Sequence, residues 1–130
     1  MKRTLTAAAL ALAASSALAC TPTFGAHVAT YHFDRSAGYN EANLGVYAMC
    51  AGYTAGIYHN SQRTTSAYVG YTVALGPVDV TLGAVTGYRR GTLPMIVPSV
   101  KVGDHTRIAF LPPIPGEKHN TGGVHLMLEF

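Results

Sequence analysis

From about residue 26 onward, apolar positions alternate with small or polar ones, and Gly and Pro punctuate the pattern. A period of two is the signature of β-strands, whose successive side chains point to opposite faces. The pattern predicts strands near 26–33, 43–50, 53–60, 66–75, 78–88, 94–102, 105–112 and 122–130. The last is the plainest. Val124, Leu126, Leu128 and Phe130 share one face, and His125, Met127 and Glu129 the other. Strand 66–75 repeats the pattern, with Val69, Tyr71 and Val73 on one face and Ser66, Tyr68, Gly70 and Thr72 on the other.

Such a sheet can bury its apolar face in the core of a soluble β-sandwich. Alternatively it can close on itself, satisfy every backbone group by closure, and turn that face to lipid. The terminal Phe130, with which outer-membrane barrels typically end, favours the second solution. The expected fold is therefore all-β: an antiparallel, eight-stranded, up-and-down outer-membrane β-barrel. Val69, Tyr71, Val73, Val124, Leu126 and Leu128 should point outward. Eight strands of about nine residues leave room only for tight turns, such as Ala51-Gly52 and Leu75-Gly76-Pro77. Longer loops at 34–42 and 61–65, with the loop after the fifth strand, fall on one rim, which should face outside.

The N-terminus changes where this domain is placed. Lys2 and Arg3 precede an apolar stretch from Leu5 to Ala19, and Ala17-Leu18-Ala19 is a small-x-small cleavage site. The stretch is shorter than the ~20 residues a spanning helix needs. A lipoprotein signal would carry a large aliphatic residue three before Cys20, where Ala17 stands. The reading is a signal peptide over 1–19 and a single barrel domain over 20–130. Charged residues make up 12% of the chain and Trp is absent. Without Lys2 and Arg3, seven basic residues face six acidic ones, and no Lys/Arg cluster suggests a nucleic-acid surface. Cys20 and Cys50 match no metal motif. Export makes a disulfide between them chemically possible, while their spacing leaves its geometry open.

The polar residues that stand out lie at the long loops. Tyr31-His32-Phe33 runs into a loop ending Tyr39-Asn40-Glu41, and Tyr58-His59-Asn60-Ser61 closes the third strand. Val85-Thr86-Gly87-Tyr88, Pro94, Pro98 and Pro115-Gly116 follow. From about Ala26 to Phe130 this succession resembles the lipid A palmitoyltransferases of the PagP type, small outer-membrane barrels that move an acyl chain from a phospholipid to lipid A. The resemblance implies an acyltransferase with a phospholipid donor, a lipopolysaccharide acceptor and no cofactor, acting as a monomer. It places His32, after an aromatic residue at the end of the first strand, as the catalytic His. Ser61 takes the place of the catalytic Ser, and Asn60 stands where the family has Asp. Pro98 and Pro115 match prolines that weaken strand pairing near strands six and seven, where a lipid can enter sideways because proline donates no ladder bond.

The chain also departs from the family. Asn60 carries no charge. A second proline pair, flanking the first loop, is replaced by His27 and Asn43, which puts the route of the acceptor in question. The amphipathic N-terminal helix has no room before the first strand.

Acyl transfer needs a hydroxyl, a proton acceptor and donors for the oxyanion. A neutral His serves as base, Ser as nucleophile or positioning group, and the Asn60 amide as an oxyanion donor. The pocket is expected along Tyr68, Gly70 and Thr72, with Thr72 at its floor where the family has glycine. Its side chain implies an acyl chain shorter than palmitate. His59 has the parity to face away from the lumen. His105, His119 and His125 read as surface or lumen polar groups, and Arg89 and Arg90 as an exposed basic pair at the outer rim. The alternative is a catalytically inert barrel that binds lipid or serves as surface structure, and the Asp-to-Asn exchange is the feature in its favour.

Overall fold

The structure, a computed structural model, describes residues 20–130. The export signal read over residues 1–19 lies outside them. Eight strands follow in order: β1 (Thr23–His32), β2 (Ala42–Cys50), β3 (Tyr53–His59), β4 (Thr65–Leu75), β5 (Val78–Tyr88), β6 (Gly91–Val102), β7 (Thr106–Leu111) and β8 (Gly123–Glu129). Each pairs antiparallel with the next, and β8 pairs with β1 from Gly25↔Glu129 to His32↔Gly123, so the sheet is a closed barrel. All eight predicted strands are present, with ends moved by a few residues. Phe130 falls just past β8, yet its N–H still donates to the Phe24 carbonyl at 2.8 Å.

Alternation has the predicted sense. Val69, Tyr71, Val73 and Leu126 are exposed on the outer face, and Val124 and Leu128 are half-buried there. Leu44, Val46, Ile57, Leu82, Ile96 and Phe110 extend the same apolar outer belt. A sandwich would bury one face of each of two sheets; here a single closed sheet leaves its apolar face open. Inside, Tyr47, Tyr68, Val85, Ala109 and Met127 form the packed core, with Met49, Tyr58, Tyr88, Leu93, Met95 and Val97 against it.

Strand direction sorts the connections. Segments 33–41, 60–64, 89–90 and 112–122 lie on one rim, and the short links 51–52, 76–77 and 103–105 on the other. Cys20 and Cys50 are joined as a disulfide, tying the segment before β1 to the end of β2 at the short-link rim.

The β6–β7 ladder is the shortest of the eight. β5 and β6 pair from Val78↔Val100 through Val80↔Pro98 and Ala84↔Pro94 to Tyr88↔Gly91. β6 and β7 pair only from Val102↔Thr106 to Ser99↔Ala109. The ladder to β7 stops immediately before Pro98. Since the β5 side runs on through both prolines, their missing donors fall on the β7 side. The half of this seam nearest the long-loop rim is therefore not hydrogen-bonded strand to strand.

The opposite end of the lumen is closed by charge. Arg107 Nε donates to Glu129 at 2.6 Å, and its Nη1 to Asp79 at 2.7 Å and Ser99 at 3.0 Å. Lys101 reaches the other Glu129 oxygen at 2.8 Å. A largely enclosed ion cluster of this kind gains little over apolar packing, but removing one member strands the others. Arg107→Met should therefore lower unfolding stability by about 3–5 kcal/mol, measured by denaturant titration of the refolded protein in detergent. A loss no larger than that of an exposed charge would disprove the plug.

Candidate active site

His32 faces the lumen because of an irregularity in β1. Gly25 and His27 point inward, and strict alternation from them would send His32 out. The register shifts between His27 and Ala29 on both neighbours, so one extra residue is accommodated. After this β-bulge, Thr30 and His32 are the inward residues, both buried. Beside His32, Gly123 must lack a side chain, since a Cβ there would lie 2.5 Å from the Tyr31 carbonyl oxygen.

Ser61 follows β3 by two residues, and its carbonyl accepts the Asn40 N–H at 2.9 Å, which ties it to the first loop. Its Oγ lies 2.8 Å from His32 Nε2. The His32 Nδ1 atom is buried and has no hydrogen-bond partner among the described residues. The Tyr39 ring lies over the imidazole, with centroids 5.0 Å apart. Tyr39 donates to one oxygen of Glu117 at 3.1 Å, and the Gln62 amide donates to the other at 2.7 Å. Glu117 thereby draws the last long loop over the site. Partial burial, then the carboxylate beside it, pushes the Tyr39 phenol up from its ordinary pKa. At the edge of the same loop pair, Asp34 accepts the Ser36 N–H at 2.9 Å and meets His119 at 3.3 Å. The Ser36 hydroxyl and backbone hold that carboxyl below its usual range, with His119 adding to the effect.

Asn60 stands next to Ser61 but turns away from this chemistry. Its Oδ1 accepts the N–H groups of Gln62 at 2.8 Å and Thr64 at 3.1 Å, an Asx-type turn. Its Nδ2 faces three acceptors: Thr64 Oγ1 at 2.8 Å, Ser66 Oγ at 2.9 Å and the Gly87 carbonyl at 2.9 Å. An amide has two N–H bonds, so both are committed to the β3–β4 hairpin and the Gly87 carbonyl of β5, and none is left for an oxyanion. The expectation that Asn60 supplies that donor is corrected on this ground. The residue is a fully buried structural clamp.

Two voids meet at Ser61. One, about 710 Å³ with its open mouth, runs down the lumen past Tyr58, Tyr68, Thr81, Met95 and Met127. The other, about 700 Å³ with its mouth, lies between His32, Leu93, Pro94, Ile96, Pro112 and Ile114, which places it against the unpaired part of the β6–β7 seam. A polar chain crosses the first. Thr30 Oγ1 meets His125 Nδ1 at 2.7 Å, His125 Nε2 meets His27 Nδ1 at 2.8 Å, and His27 Nε2 meets the Tyr68 hydroxyl at 3.0 Å. Tyr58 and Tyr88 hydroxyls are paired at 3.0 Å above it.

The predicted substrate-contact residues separate. Tyr68 lines the lumen void. Gly70 is on the inner face, where a Cβ would come within 2.8 Å of the Leu82 carbonyl oxygen. Thr72 also faces in, but its hydroxyl bonds to Thr81 at 2.9 Å, and Thr81 is the residue that forms the wall. Pro98 lies on the outer face where the β7 ladder ends, while Pro94 and Pro112 line the seam void. Pro115 is exposed on the last loop, and its carbonyl accepts from Arg90. His59 is exposed, as its parity requires, and His105 and His119 are at the surface. His125 is in the lumen. Asn43, one of the two residues replacing prolines, donates to the His59 carbonyl at 2.9 Å and so ties the start of β2 to the end of β3. Among the described residues, no three His, Cys, Asp or Glu side chains converge as a metal would need.

The clamp makes a sharp prediction. Asn60→Asp sets a carboxylate oxygen against the Gly87 carbonyl and removes the donor it requires. Unfolding stability should fall by about 1–3 kcal/mol, measured by denaturant titration. An unchanged or raised midpoint would show that the amide is not needed. No family model matches this chain, and no curated protein matches it either.

Proposed function

We propose that this chain is an outer-membrane acyltransferase that moves an acyl chain from a phospholipid to a hydroxyl of lipid A or a related acceptor. The observation that carries the reading is the 2.8 Å contact between His32 and Ser61 where the lumen void meets the seam void. An acyl chain in the lumen and a glycerol backbone at the seam would put the donor ester beside that pair. The apolar outer belt supports a lipid surrounding, and the unpaired half of the β6–β7 seam supports sideways entry.

The chemistry divides as follows. His32 Nε2 accepts the proton of a hydroxyl, either that of Ser61 or that of an acceptor positioned by Ser61. The oxygen so freed attacks the donor ester carbonyl. The proton then passes from Nε2 to the departing glycerol oxygen, leaving a lysophospholipid and, where the acceptor attacked, the acylated acceptor. Where Ser61 attacked, the acyl-Ser61 ester passes its acyl group to the acceptor hydroxyl, whose proton returns through Nε2 to Ser61 Oγ. The Tyr39–Glu117–Gln62 clasp covers the pair from the rim and limits access of water.

A second reading, an inert lipid-binding barrel, is favoured by Asn60, which brings no carboxylate to His32. Transfer of a labelled acyl chain between lipids in detergent separates the two. His32→Ala and Ser61→Ala should each lower transfer on the order of 10²-fold or more; no transfer by the wild-type chain would refute the enzyme, and full activity in both variants would remove His32 and Ser61 from its chemistry.

Acyl length is set by the lumen wall. Thr81→Ala should move the preferred donor toward longer chains, since each methylene newly accommodated is worth about 0.8 kcal/mol. Thr72→Gly should act less, because Thr81 lines the void and its cross-strand neighbour Thr72 does not. Donor profiles measured with a chain-length series decide it, and a larger shift for Thr72→Gly would reverse the assignment.

A further inference from the structure

The Ser–His pair lacks the third member that usually holds the imidazole. For Nε2 to accept a proton, the neutral ring must carry its own on Nδ1. That nitrogen is buried on a residue only 5% exposed, and no described residue meets it. A buried N–H without an acceptor is unfavourable, so the site as it stands wants an oxygen there.

Glu41 is the carboxylate placed to supply one. It lines a small polar recess together with His32, Arg35, Gly38 and Tyr39. Its carbonyl accepts the Thr30 N–H at 2.9 Å, which holds it across from the inward end of β1. It continues the row of Asn43 and Tyr47, both buried inside the barrel. Its Oε2 is engaged by Arg35 at 2.9 Å, and the Arg35 side chain is 63% exposed. Such a surface pair is a weak competitor.

We propose that Glu41 is the positioning residue for His32. In the working site its carboxylate exchanges Arg35 for His32 and accepts a hydrogen bond from Nδ1–H. That fixes the tautomer with Nε2 toward Ser61 and stabilises the imidazolium formed when Nε2 takes the hydroxyl proton. Glu41 takes no proton itself. The assignment rests on the acyl-transfer reading, and it replaces a carboxylate beside Ser61 with one from the first loop.

The test compares variants that break the same ion pair. In the full chain in detergent, Glu41→Ala should lower kcat on the order of 10²-fold with the donor KM unchanged, and Glu41→Asp should recover part of it. Arg35→Ala should leave kcat unchanged. Equal losses in Glu41→Ala and Arg35→Ala, or full kcat in Glu41→Ala, would overturn the proposal while leaving the enzyme reading intact. If Glu41→Ala does not fold, Glu41→Gln serves, since it keeps the shape without the charge; full kcat there is equally fatal. If the wild-type chain shows no transfer, the enzyme reading fails and the proton resonance of His32 Nδ1–H decides the contact. A resonance shifted in Glu41→Ala but not in Arg35→Ala supports it, and one identical in wild type and Glu41→Ala overturns it.

Discussion

Pairing of β8 with β1 governs the rest of the molecule, because it turns a sheet with two edges into a ring with none. Once the ring is closed, each strand residue must point either to the outer belt or into a narrow lumen. Backbone donors and acceptors are satisfied by neighbours rather than by water. The outside can be uniformly apolar. The inside has to settle every polar group it admits, and it does so in layers. The Arg107–Glu129–Asp79 cluster closes one end, the Thr30–His125–His27–Tyr68 chain crosses the middle, and His32 with Ser61 lies at the other.

Against that background the departures from regularity are informative. The β6–β7 ladder ends at Ser99, where Pro98 withholds a donor, and the seam void opens along the unpaired stretch. The bulge in β1 reverses inward parity between His27 and Thr30. Each costs ladder hydrogen bonds that a plain barrel would keep. The first leaves a void beside an unpaired stretch of the seam, and the second puts an imidazole against Ser61.

The loops on the long rim complete the arrangement. Asn60 consumes its whole side chain in shaping the hairpin that presents Ser61. Glu117 joins Tyr39 to Gln62, so the first, second and last loops are held over the same spot. The residue that stands where the resemblance expects a carboxylate is thus a scaffold, and the carboxylate that shares a recess with His32, Glu41, comes from the first loop.

Period-two alternation is a local property, so the eight strands, their outward faces and the shared rim of the long loops could be read directly from residues such as Val69, Tyr71, Leu126 and Leu128. The pairing of His32 with Ser61 was also legible, through resemblance and the order of the loops. The choice of closed barrel over sandwich rested in the sequence on Phe130 and the family resemblance, and the ring of pairings decided it. Other features depend on contacts between residues distant in the chain, which no local pattern encodes. Parity from His27 points His32 outward, and only the register against β2 and β8 reveals the bulge. Thr72 has the right parity for a pocket floor, but it is its cross-strand partner Thr81 that lines the void. Asn60 reads as an oxyanion donor until Gly87 and Ser66, brought alongside by neighbouring strands, claim its amide hydrogens. The Cys20–Cys50 bridge likewise waits on geometry. Sequence determined which way each side chain faces along a regular strand; tertiary structure decided which groups meet, because hydrogen-bond partners in a closed sheet are set by register across strands.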